Sequence, residues 1–83
     1  MLRILVVDDE ENIGQSLRLI LEREGYQVTV CRSAAEFYAH PQSRWADLYL
    51  LDVRLPDGNG IDLLRWVRSS ESAAPAVMIS GHG

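Results

Sequence analysis

The sequence predicts an α/β fold: an open parallel sheet with helices on both faces. Three observations carry this. Two kinds of segment, strand-like and helix-like, alternate along the 83 residues. Residues 3–7 and 48–51 are nearly all apolar, as strands covered on both faces must be. Three of the four strand-like segments run into a carboxylate or a hydroxyl, at the edge where open parallel sheets bind ligands. Strict alternation of this kind implies right-handed crossovers and helices packed on the sheet.

Each element has its own signal. Residues 3–7, Arg-Ile-Leu-Val-Val, are rich in β-branched residues and read as a central strand. Ile13, Leu17, Ile20 and Leu21 recur at helical spacing and predict one inward stripe. Gly25, just after Arg23-Glu24, suits the left-handed position that follows a helix. "YQVTVC", residues 26–31, alternates as a second strand. "SAAE", residues 33–36, is a capping box opening a short helix with Phe37 on its apolar side, and Pro41 stops it. Residues 47–52 form the third strand. Asn59 is an N-cap for a third helix, with Ile61, Leu64 and Val67 expected inward and Arg65 and Arg68 outward. Pro75 breaks the chain before a fourth strand, "AVMIS", residues 76–80.

Composition narrows the function. A chain of this length makes one small domain, and it carries 47% hydrophobic and 24% charged residues. No run approaches the ~20 apolar residues of a membrane span. The N-terminus has no secretory signal and the single Cys31 cannot form an intrachain disulfide, so a cytoplasmic location is expected. The net charge is −4, with eight Arg, all scattered, and no Lys. That argues against direct binding of nucleic acid, which needs a clustered basic patch. His40 and His82 lack metal-ligand spacing and read as structural.

The strand ends carry the chemistry. The first strand runs into Asp8-Asp9, the third ends in Asp52, and the fourth ends in Ser80. If the first and third strands are neighbours, their tips lie roughly 5 Å apart. Three carboxylates then crowd one pocket, and their mutual repulsion is relieved by a cation. Mg²⁺ fits: it takes oxygen ligands, keeps waters, and is often held by one or two carboxylates together with phosphate oxygens. Singly, each residue has a plainer role. Asp52 could cap a helix, Asp57-Gly58 could be turn chemistry, Asp8 to Glu11 could favour a helix N-terminus, and Ser80 could be a loop serine. Their common placement at one sheet edge favours a site.

"ILVVDDE", "LLDVRLPDGNGIDLLRWVR" and "VMISGHG" together resemble the receiver domain of bacterial two-component response regulators. The resemblance covers the whole chain. It implies a flavodoxin-like (βα)5 fold, here truncated after the fourth strand, so that residues 1–83 form a partial receiver domain without the fourth and fifth helices and the fifth strand. It implies that Asp52 is the phosphoacceptor and that Asp8, Asp9, Asp52 and the backbone carbonyl of Arg54 hold Mg²⁺. Ser80 is then the switch hydroxyl, and Pro56 and Gly58 shape the loop beside the site. The implied partners are a sensor histidine kinase and a C-terminal output domain. The wording of "RLPDGNG" and "ISGHG" is most similar to receivers of sigma-54-dependent, NtrC-type activators, which implies an AAA+ and DNA-binding output. The chain is then no enzyme beyond its own phosphoryl transfer and slow self-dephosphorylation. The lysine that pairs with the phosphoryl group in the family has no counterpart here. An uncovered sheet face, with Ile4, Val6 and neighbouring residues of the third strand meeting water, and an apolar edge strand predict that the isolated chain forms homo-oligomers. Two other functions compete: a phosphatase of the haloacid dehalogenase type, and an interaction or dimerisation fragment that is never phosphorylated.

Overall fold

The computed structural model describes residues 1–79. Along the chain run β1 (Arg3–Val7), α1 (Glu11–Arg23), β2 (Gln27–Cys31), α2 (Ala34–Ala39) and β3 (Leu48–Asp52). They are followed by a short pair, β4 (Arg54–Leu55) and β5 (Gly58–Asn59), then α3 (Gly60–Ser69) and β6 (Ala76–Ile79). The main sheet is parallel in the order β2-β1-β3-β6, so the chain reverses direction across the sheet at β1. The expected neighbours, first strand beside third, are in place. Ser80 and His82 lie outside the described residues.

The two faces carry separate cores. One side of the sheet, with Leu5, Val7, Tyr49 and Leu51, packs under α2 and α3 around Phe37, Leu63 and Val67. The other side, with Ile4, Val6 and Val28, packs under α1 through Leu17 and Leu21. The strands alternate between these cores because successive side chains leave a strand on opposite faces. On the first face Phe37 and Trp66 meet edge to face at 5.4 Å between centroids, and Arg44 stacks over Trp66 at 4.2 Å.

Caps set the helix bounds. Ser33 Oγ accepts the Glu36 N–H at 3.1 Å, and Asn59 Oδ1 accepts the Asp62 N–H at 2.9 Å, as the capping signals predict. Gly25 takes φ +91°, the left-handed turn that follows α1. His40 has a structural role: its Nδ1 accepts the Gln42 N–H at 3.0 Å.

Three expectations are corrected. Ile61 is 49% exposed and Leu63 fills the core in its stead, while Val67 is buried as expected and Leu64 half-buried. The helix is rotated this way because Gly60 lies against the strand backbone, and Leu63 and Val67 follow on that face. Ile20 is 57% exposed. It stands one residue, about 100°, round the helix from the inward Leu21. Ile4 and Val6, expected to meet water, are buried in the cluster that Leu17 and Leu21 of α1 cover. The strand-three part of that face is left half-buried at Leu48 and Leu50, as expected, and beyond it Val77 of β6 is 49% exposed. Among the described residues no helix is long and apolar enough to cross a membrane.

Candidate functional site

Parallel pairing of β1 with β3 runs from Ile4 opposite Leu48 to Val7 opposite Leu51. The next step along both strands brings Asp8 and Asp52 to the same edge. One carboxylate oxygen each from Asp8, Asp9 and Asp52 lie within 4.8 Å of one another. Asp8 and Asp52 are both 1% exposed, whereas Asp9 is open to solvent.

Local hydrogen bonds fix the two buried acids. The Asp8 N–H donates to the Cys31 carbonyl at 3.0 Å, extending the ladder with β2 by one rung. Asp8 Oδ1 accepts the Glu10 N–H at 2.8 Å, which folds the chain from β1 into α1. Asp52 Oδ1 accepts the Arg54 N–H at 3.1 Å. Behind Asp52, α3 begins almost in contact with the strand. A Cβ on Gly60 would lie 2.4 Å from the Asp52 carbonyl oxygen, so only glycine allows this approach.

The electrostatics are unfavourable for three free acids. Burial pushes the Asp52 carboxyl above the usual carboxylate range. The Arg54 N–H opposes that shift, while the charges of Asp8 and Asp9 and a hydrogen bond with Asp9 add to it. Removing a carboxylate from water disfavours its charged form, and like charges close by do the same. A cation reverses both effects. The donor set is all oxygen, two of its members are held rigidly, and the third faces solvent, leaving room for waters and an anion. This fits a hard divalent ion such as Mg²⁺.

The structure thus brings Asp8, Asp9 and Asp52 together at one sheet edge, with the Arg54 N–H on Asp52. Cys31, at the neighbouring strand end, is no competing nucleophile, because burial, aided by the Glu36 charge, raises its thiol to about 11. One participant was not foreseen. Asp57, read as turn chemistry, accepts the N–H groups of Ala34 and Ala35 at 2.8 and 2.9 Å. These bonds hold its carboxyl below the usual range. Its partners lie on a different element, so no local pattern marks it.

The response regulator receiver domain family matches residues 4–83. Among curated relatives, the chain is 35% identical over 80 residues to the CAI-1 autoinducer sensor kinase/phosphatase CqsS of Vibrio cholerae, covering 96% of this chain and 12% of that protein. It is 40% identical over 80 residues to the alginate biosynthesis transcriptional regulatory protein AlgB of Pseudomonas syringae, covering 96% of this chain and 18% of the relative. Across such relatives it spans between 12% and 38% of their length. Among solved structures, the non-phosphorylated HemR receiver domain of Leptospira biflexa superposes with a TM-score of 0.89 at 34% identity, over 99% of this chain and 66% of that one. The response regulator TrrA of Thermotoga maritima, in complex with Mg²⁺–BeF, gives 0.86 at 31%, over 100% and 72%. The beryllofluoride-activated NtrC4 receiver domain dimer gives 0.87 at 36%, over 100% and 69%. With a family match over nearly its whole length and the acids gathered at one sheet edge, the chain belongs to the response regulator receiver domain family, whose members are phosphoacceptor signalling modules.

Proposed function

We propose that this chain takes a phosphoryl group on Asp52 from a sensor histidine kinase and passes the signal to an output domain, most simply one that controls transcription. The observation that carries the reading is the buried carboxylate at the tip of β3 with the oxygens of Asp8 and Asp9 within 4.8 Å. The Asp52 carboxylate attacks the phosphorus of the kinase phosphohistidine. The P–N bond breaks, its electron pair returns to the imidazole nitrogen, which takes up a proton, and Asp52 is left as an acyl phosphate. Asp9 directly, Asp8 through water, Asp52 and the Arg54 carbonyl would hold Mg²⁺. When bound, that ion offsets the charge of the phosphoryl group in transfer. The Arg54 N–H holds one carboxylate oxygen still, and rigid positioning is most of what this reaction needs from a protein. Ser80 is proposed as the switch hydroxyl that closes on the phosphoryl oxygens.

We further read residues 1–83 as about the first two-thirds of a receiver, in keeping with the 66% of the HemR domain that they span. In this reading the module works in the cytoplasm ahead of an AAA+ and DNA-binding output. The isolated chain associates with itself.

Acetyl phosphate with Mg²⁺ tests the core of the proposal. The expected product is a single phosphoryl adduct by mass spectrometry, lost in Asp52→Asn. No adduct, or steady turnover of phosphate esters, would overturn it.

A further inference from the structure

The turn beside the acids is fastened to another element. Pro56 and Asp57 connect β4 to β5, whose register pairs Arg54 with Asn59 and Leu55 with Gly58. From this turn the two Asp57 oxygens reach across to α2, Oδ1 to the Ala34 N–H and Oδ2 to the Ala35 N–H, at 2.8 and 2.9 Å. Gly58 is seated on the same place, since a Cβ there would lie 3.3 Å from the Ala34 Cβ. The α2 end of the tie is seated in the core. Helix α2 has six residues, too few to be stable alone, and Ala34 and Phe37 are buried in the core below α3. At the other end, β4 begins with Arg54, whose N–H is on Asp52 Oδ1. A continuous chain therefore links the core, α2, Asp57, the turn, Arg54 and Asp52.

We propose that Asp57 is a positioning residue for the metal centre: by fastening the turn to α2, it holds the Arg54 backbone in register with Asp52. This rests on the Mg²⁺ reading above. A plain cap on α2 would do something different. Ser33 already caps the same helix through Glu36, so loss of either acceptor weakens α2, but only loss of Asp57 frees the turn. The carboxylate is suited to the task because it accepts both donors at once. An amide in its place keeps one of the two bonds.

Amide spectra of the ¹⁵N-labelled chain, titrated with Mg²⁺ alone, separate the roles. The parent should respond at Asp9, Asp52 and Arg54. Asp57→Ala should raise the dissociation constant about tenfold, the usual scale for losing a group that orients a metal ligand. Asp57→Asn should fall between. Ser33→Ala should lower the melting temperature as Asp57→Ala does, yet leave the constant within about twofold, since a cap acts on the helix alone. If Asp57→Ala binds as the parent does, or if Ser33→Ala weakens binding equally, Asp57 is only a cap and the inference fails while the metal reading stands. A parent with no response at those amides would sink both.

Discussion

A carboxylate that is 1% exposed and shares its pocket with two others is held against its own preference. At the scale of the residue, Asp52 therefore couples function to stability. Its folded pKa lies above the ordinary value, so the folded chain binds this proton more tightly than the unfolded chain. Its contribution is most favourable when it is protonated. Stability falls as pH rises from the ordinary carboxylate range through the raised folded value, and then levels. Asp52→Asn removes the charge, keeps the shape, and should raise the melting temperature in metal-free buffer at neutral pH. Mg²⁺ should narrow the gap between the two proteins. Paired thermal melts with and without Mg²⁺ check this, and a variant that melts lower than the parent in metal-free buffer contradicts it. The acids were legible in the sequence because each sits at a strand end, where the fold dictates direction. Asp57 was not, because its worth depends on which backbone donors the crossover brings near.

Elements meet at this site through the absence of a side chain. Gly60 opens α3 directly on the Asp52 carbonyl, and neither backbone has room to give. Gly60→Ala should cost about 2 kcal/mol or more, the range for forcing an extra carbon into a packed interior. It should also disturb the Asp52 amide resonance before any other. A melt unchanged from the parent would show that α3 can slide outward freely. The order of strands and helices, the capping residues Ser33 and Asn59, and the helix stops were readable, since each is local chemistry. Helix rotation was harder. Ile61, Leu64 and Val67 are all apolar, and a spacing of three drifts by about 60° per step, so the stripe alone does not say which end of it faces in. The close approach at Gly60 decides that, and it can be seen only once α3 and β3 are together. The β4–β5 pair was read as a loop because two-residue strands carry no period.

For the whole molecule, the two faces are unequally covered. Helices α2 and α3 close one; α1 alone lies on the other, beside an open, mainly apolar hollow of about 380 Å³ lined by Leu2, Ile4, Leu21, Tyr26, Leu48 and Pro75, with Asp47 among them. Among the described strands β2 and β6 are the two edges of the sheet, and β6 has Val77 in water. Exposed apolar area costs about 25 cal/mol per Å², and an edge without charge is a template for pairing. The isolated chain should therefore be dimeric or larger, with a melting temperature that rises with concentration. Light scattering across about a hundredfold dilution checks it, and a constant monomeric mass would refute it. The sequence located the edge and the strand-three part of the uncovered area, where Leu48 and Leu50 are half-buried, but not the burial of Ile4 and Val6, because where α1 settles on the sheet follows from packing and not from pattern. The strand order has one more consequence, in time. Asp8 and Asp52 belong to strands that pair only after two crossovers are complete, so the acids are strangers in the unfolded chain. An ion held by both can reward only the finished arrangement. If β3 docks on β1 after the rate-limiting step, Mg²⁺ would leave the folding rate almost untouched and slow unfolding, acting as a latch and not as a template.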